Sequence, residues 1–190
     1  MRPLTFIQMS GVPGSGKTTI ATALARHTGA VIIDHDVTKT ALLESGVSVE
    51  VAGRASYGVL KMLARHLLSQ GQSIIFDSPC FYKELLEYGQ ATAAEFAAEY
   101  RYIECVLDDF EELEKRLKKR QPLRSQRLGI SEPPIDIQKD PLAGEKLFHK
   151  WHKGMQRPDS GYLLLDTSES IAVCVAKALA YLAIPLVGER

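Results

Sequence analysis

The chain has 190 residues, and its 23 basic and 23 acidic side chains leave a net charge of zero at neutral pH. That length suits one well-packed domain over residues 1–190, and the charge balance excludes a bulk positive field that would draw in nucleic acid or an anionic membrane. Cys80, Cys105 and Cys174 stand far apart and outside any C-x-x-C spacing, so neither a zinc site nor a disulfide framework is implied.

The chain opens with MRPLTFIQM, which carries one arginine and an apolar run broken at Gln8. This is a poor secretory signal and a good short strand near 4–9. The next stretch, GVPGSGKTT, fits the pattern G-x-x-x-x-G-K-[ST]: Gly11, then Val12, Pro13, Gly14 and Ser15, then Gly16, Lys17 and Thr18, with Thr19 after them. It follows an apolar strand and opens a helix near 17–28, which is the context that makes the pattern a phosphate cradle. Glycines let backbone N–H groups turn inward on an anion, Lys17 reaches the β- and γ-phosphates, and the Thr18 hydroxyl ligates Mg²⁺ at the positive end of the helix. A dinucleotide fingerprint fits less well, because GSGKTT lacks its third glycine.

A second strand, near 30–34, ends in IIDHD, and a helix near 37–45 follows. Either Asp34 or Asp36 caps that helix or accepts the proton of an attacking hydroxyl. Lys39, three residues after Asp36, shares its helix face and is placed to hold an acceptor or a phosphoryl group in transfer. Leu60, Leu63 and Leu67 set the period of a helix near 50–70. The third strand, near 72–77, ends in IIFD, so Asp77 has the form of a Mg²⁺-side carboxylate, with a cap of the helix near 81–98 as the alternative.

A fourth strand near 101–107 leads to DDFEELEKRLKKRQPLRSQR, where Phe110, Leu113 and Leu117 mark a helix near 109–120. Its acidic first turn and basic last turn suit the helix dipole. Arg116 and Arg120, four apart on one face, suit phosphate oxygens, and Arg124 and Arg127 continue towards them from the next segment. That segment, Gln121 to Gly144, has four prolines, two glycines and no sustained period, and reads as a lid. His149 and His152 on a helix near 143–156 lack an acidic partner in sequence and receive no role. The last strand, near 162–166, ends in LLLDTS, and the helix near 168–183 begins the apolar run IAVCVAKALAYLAIPLV, which Lys177 and Pro185 interrupt. A core helix fits that run better than a membrane span, so the protein is expected in the cytoplasm.

Alternating strands and helices predict an α/β fold, a parallel sheet covered on both faces. In order along the chain, GVPGSGKTT, IIDHDVTK, IIFDSP, KRLKKR and LLLDTS resemble the P-loop kinases related to polynucleotide kinase, chloramphenicol phosphotransferase and the zeta toxins. The resemblance implies a three-layer, adenylate-kinase-like P-loop fold with a five-stranded sheet of order 2-3-1-4-5. It further implies ATP and Mg²⁺ as cofactors, Asp36 as general base and Lys39 where those kinases carry an acceptor-side arginine. It gives Arg116 packing on adenine, Arg120 reaching the phosphates and Thr167 at the edge of the adenine pocket. Neutral charge and the lack of an aromatic-studded basic groove favour a monomeric kinase for a small hydroxyl compound over a polynucleotide kinase. The basic run from Lys115 to Arg127 keeps a short nucleic acid strand as the second reading. A nucleotide-dependent regulator with no phosphoryl acceptor is the reading from another class.

Overall fold

A computed structural model describes residues 3–137 and 141–183. Residues 138–140 of the expected lid and 184–187 of the C-terminal apolar run lie outside the described residues. Five strands, β1 (Thr5–Ser10), β2 (Val31–Asp34), β3 (Ile74–Asp77), β4 (Glu99–Val106) and β5 (Tyr162–Asp166), form one parallel sheet of order β2-β3-β1-β4-β5. The expected strand order is therefore the observed one, and the β3 strand lies beside the β1 strand that leads into the cradle.

Parallel strands buried on both faces need apolar residues at successive positions, and β1 and β3 supply them. Ile7, Met9 and Ile75 turn to one face, against Ile20 and Leu24 of α1 (Lys17–Thr28) and Ala178 and Leu179 of α7 (Ile171–Tyr181). Phe6, Ile74 and Phe76 turn to the other, against Leu60 and Ala64 of α3 (Val49–Ser69) and Leu85 of α4 (Lys83–Glu95). A third cluster forms beyond the strand ends, where Leu113 and Leu117 of α5 (Phe110–Lys119) meet Val12 of the cradle and Phe148 of α6 (Pro141–Lys153). The cradle is thus packed from behind by the helix that carries Arg116.

Some boundaries move for local reasons. The helix α2 (His35–Glu44) starts early because the Asp34 side chain caps it, accepting from Asp36 N at 2.7 Å and Val37 N at 3.2 Å. The last helix starts late because Asp166 accepts from Ser168 N in a turn, leaving Ser170 to cap α7. The buried face of α3 runs through Ala52, Ser56, Leu60, Ala64 and Leu68, so Leu63 of the expected leucine stripe is 40% exposed.

Behind the cradle the packing has no slack. Gln8 is fully buried; its Nε2 donates to Cys80 Sγ at 3.2 Å and its Oε1 accepts from the Tyr100 hydroxyl at 2.7 Å. A Cβ on Gly89 of α4 would meet that Gln8 Oε1 at 2.3 Å and Tyr100 Cε2 at 2.9 Å. Gly89→Ala is therefore expected to destabilise the fold by about 1–3 kcal/mol, despite alanine's better helix propensity. Urea unfolding of the two proteins measures it, and an equal midpoint would mean that Gln8 moves aside at little cost.

Candidate active site

The loop between β1 and α1 is held in shape by glycines. Gly11 has φ 128°, and a Cβ there would lie 2.3 Å from the Cys105 carbonyl oxygen, while Gly14 and Gly16 are left-handed at φ 87° and 89°. Gly16 caps α1 with no side chain over the helix N-terminus, so its first N–H groups are left for an anion. Pro13, Gly14, Gly16, Lys17, Thr18 and Thr19 line a cleft of about 630 Å³. Ser15 is buried beneath it, its hydroxyl without a partner among the described residues.

Lys17 Nζ donates to the Val12 carbonyl at 3.0 Å. Burial lowers its pKa, against the opposing pull of Asp77 and Asp36. Parallel pairing brings Asp34 and Asp77 side by side at the ends of β2 and β3. The two carboxylates differ in what they bond. Asp34 is spent on the helix cap, while Asp77 is 3% exposed and its Oδ2 has no hydrogen-bond partner among the described residues. Burial pushes the Asp77 carboxyl up to about 6, with Lys17 opposing and Asp34 adding to the shift. An orphaned, buried carboxylate oxygen beside a phosphate cradle fits a divalent cation. Among the described residues no cluster of three or more His, Cys, Asp or Glu could hold a metal alone, so the fit is to Mg²⁺ shared between Asp77, Thr18 and phosphate oxygens.

Asp36 stands in the first turn of α2. Its Oδ2 accepts from Gln126 Nε2 at 2.9 Å and its Oδ1 lies 3.5 Å from His35 Nδ1. Burial alone would raise its pKa, but His35, Gln126 and Lys17 together outweigh burial and hold it below the usual carboxylate range. His35 is fixed in turn by Ser56 Oγ at 3.0 Å and by the Tyr57 ring, centroids 4.2 Å apart. Sequence reasoning missed Gln126, Ser56 and Tyr57, since nothing in a polar loop or a helix face marks them before the chain folds.

Arg116 donates from Nη2 to the Thr167 carbonyl at 2.9 Å and from Nε to Glu112 at 3.0 Å. Both Arg116 and Thr167 line the cleft at the side away from Asp36, together with Ile171 and Cys174 of α7. Arg120 donates to the Arg127 carbonyl at 2.7 Å, and its buried Nε has no partner among the described residues. The other two arginines depart from the expected direction. Arg124 forms a two-pronged ion pair with Asp136, at 2.8 and 3.0 Å, and reaches the Leu43 carbonyl of α2 at 3.1 Å. Arg127, 6% exposed, donates to the carbonyls of Gly129, Ile130 and Gly144. Arg127 holds its own segment together, and Arg124 ties that segment to α2 as well.

That segment is docked. Ser125 bonds the Thr40 hydroxyl and the Asp36 carbonyl, so the stretch after α5 sits on α2 and roofs a second cavity of about 690 Å³. Lys39 lines this second cavity and makes no hydrogen bond or ion pair among the described residues. The two cavities share Pro13, His35, Asp36, Pro79, Arg120 and Gln126 as a common wall. His152, given no role from sequence, reaches the Leu107 carbonyl and Asp108 away from both.

A glycine cradle with acidic strand ends, on a parallel sheet of order β2-β3-β1-β4-β5, defines a P-loop protein of adenylate-kinase-like fold. The chain belongs to an AAA domain family whose model matches residues 6–140. Among solved structures it is similar to one from Chloroflexus aurantiacus j-10-fl, at 22% identity over 95% of this chain and 99% of the other, TM-score 0.72. It is also similar to a sugar kinase from Janibacter sp. HTCC2649, at 20% identity over 96% of both chains, TM-score 0.63. A Mycobacterium tuberculosis APS kinase in complex with AMPPNP and APS matches at 16% identity over 96% and 99%, TM-score 0.61. At these identities the likeness is one of fold. No curated protein sequence matches the chain. No helix among the described residues is long and apolar enough to cross a membrane.

The raised Asp77 carboxyl sets a pH dependence. A carboxyl titrating near 6 must lose its proton to face a cation, so Mg²⁺-dependent binding of a non-hydrolysable ATP analogue should weaken as pH falls through 6. The loss should approach about tenfold per pH unit below that point. Asp77→Asn should bind more weakly at neutral pH and lose this dependence; calorimetry from pH 5 to 8 measures both, and parallel pH profiles would remove Asp77 from the cation's surroundings.

Proposed function

We propose that this protein is a kinase that transfers the γ-phosphoryl group of ATP to a hydroxyl on a small-molecule acceptor. One observation carries the reading: two cavities, one floored by the phosphate cradle, lie side by side and both are lined by Asp36 and Arg120. A donor in the first and an acceptor in the second would meet beside a carboxylate and a guanidinium, which is the pair of groups phosphoryl transfer needs. The sugar kinase and APS kinase with which the chain shares its fold support this reading over a hydrolase with no acceptor.

In this reading ATP lies with its base between Arg116, Thr167 and α7 and its phosphates on Gly11 to Thr19. Lys17 balances charge on the β- and γ-phosphates, which would offset the burial that lowers its pKa in their absence. Thr18 and Asp77 would hold Mg²⁺, which when bound neutralises phosphate charge. The unpartnered Nε of Arg120 faces the charge that develops on the oxygens in transfer. Asp36, kept ionised by His35 and Gln126, orients the acceptor hydroxyl. It takes the proton as the new O–P bond forms and the bond to the ADP oxygen breaks.

The basic run from Lys115 to Arg127 gives less support to a nucleic acid strand than its sequence suggests. Lys118 is paired with Glu132, Arg124 with Asp136 and Arg127 with carbonyls, so few of these cations are left for a phosphate backbone.

ADP release measured across sugars, hydroxy acids, nucleosides, antibiotics and 5′-hydroxyl oligonucleotides tests the reading. Asp36→Asn should bind the ATP analogue as the unaltered protein does and lose acceptor phosphorylation by roughly 10²- to 10⁴-fold. Asp77→Asn should slow all turnover, with or without acceptor. ATP hydrolysis that no acceptor stimulates and that Asp36→Asn leaves intact would favour the regulator reading instead.

A further inference from the structure

The second cavity carries more information than its position. Among the described residues four cations, Lys39, Arg54, Arg120 and Arg127, line it against one carboxylate, Asp36. Arg120 and Arg127 are engaged by carbonyls, but Lys39 of α2 and Arg54 of α3 form no hydrogen bond or ion pair among the described residues. Two unpaired cations from neighbouring helices, turned to one cavity, make a place for an anion. Opposite them the wall is aromatic. Phe81 and Trp151 stack with centroids 4.8 Å apart and planes 18° apart, the Arg127 guanidinium covers Trp151 at 5.5 Å from its centroid, Tyr82 meets Phe81 edge-on at 6.5 Å, and Tyr57 closes the side towards His35, so Phe81 and Tyr82 carry the ring contact.

A bare sugar presents a C–H face to the rings but no charge for the cations. We infer that the acceptor is a hydroxyl compound bearing both a ring and an anionic group, its anion between Lys39 and Arg54, its ring on the Phe81–Tyr82 wall and its hydroxyl at Asp36. The inference rests on the kinase reading for the meaning of "acceptor", but the recognition chemistry of the cavity does not depend on turnover. Shape and charge together set the selection: the rings contribute apolar contact area for any flat molecule, and the cations favour the charged member of a matched pair. A mononucleotide and an aryl carboxylic acid share this chemistry.

Trp151 is the chain's single tryptophan and lines this cavity, so energy transfer from its emission has one donor, and the Lys39 and Arg54 double variant assigns the signal to the cavity. With the nucleotide cleft saturated by a non-hydrolysable ATP analogue and Mg²⁺, the probes are anilinonaphthalene sulfonate and its uncharged counterpart phenylnaphthylamine. Trp151 should transfer to the sulfonate, which should bind about tenfold more tightly than the neutral probe. Lys39→Gln with Arg54→Gln should abolish that preference while the neutral probe binds as before, circular dichroism confirming the fold of the double variant. Trp151→Phe should remove the transfer. Equal affinity for the two probes, or a preference that survives the double variant, overturns the inference. Displacement of the sulfonate by uridine monophosphate or by hydroxymethylbenzoate, and not by glucose or gluconate, supports it and separates the two sources; displacement by glucose as effective as either overturns it. Failure of ADP release with intact probe selectivity would sink the kinase reading alone, and acceptor-stimulated turnover without probe selectivity would sink this one alone.

Discussion

Lys17 is a half-buried ammonium group that donates to one carbonyl and feels two carboxylates, Asp77 and Asp36, at longer range. A charge drawn partly out of water is tolerated only where opposite charge or dipoles are fixed around it, and here they are fixed by backbone. The Val12 carbonyl belongs to the cradle, Asp77 ends a strand paired to β1, and Asp36 rides on a helix whose start is set by the Asp34 cap. The consequences run outward from that ion. Asp77 is left with an unsatisfied oxygen and a raised pKa, and Asp36 keeps its charge at the seam of two cavities. The resting site is therefore electrostatically incomplete, and a polyphosphate with its cation would complete it.

The stretch between α5 and α6 takes part in that arrangement without touching the cradle. Its arginines are turned inward on its own carbonyls and on Asp136, and its small polar groups are turned outward onto α2. Gln126 is the contact that matters for chemistry, because the same bond that docks the segment also holds the Asp36 carboxylate in orientation. Docking and positioning are one interaction, so a displacement of the segment would also release Asp36.

The fold was readable because its signals are local. Strand and helix alternation, a glycine pattern at fixed spacing and an aspartate at each of three strand ends can all be seen within ten-residue windows, and parallel pairing then carries Asp34 to Asp77 without further instruction. The phosphate cradle was readable for the same reason. The acceptor-side cavity was not, because Tyr57, Phe81, Gln126 and Trp151 come from four separate parts of the chain and each looks like ordinary surface or core where it stands. Arg124 and Arg127 were misread for a related reason: an arginine in an irregular segment satisfies carbonyls and phosphates with the same donors, and sequence does not say which lies nearer. Of the Leu60, Leu63 and Leu67 stripe, the helix buried Leu60 but turned its i, i+4 row of Ala52, Ser56, Leu60, Ala64 and Leu68 to the sheet, leaving Leu63 outside it.

The strand that is made first stands in the middle of the sheet. β1 pairs with β3 on one side and β4 on the other, so Phe6 cannot find Ile74 until some 65 residues more have been joined, nor Tyr100 until after that. At roughly 5–20 residues per second on a ribosome, both edges of β1 stay open for several seconds, with no hairpin partner to shield them in the meantime. The cradle also lacks its neighbours in that interval, because the backbone against Gly11 is that of Cys105 on β4. Newly made chains should therefore depend on chaperones early and acquire nucleotide affinity late, in one step, when β4 arrives.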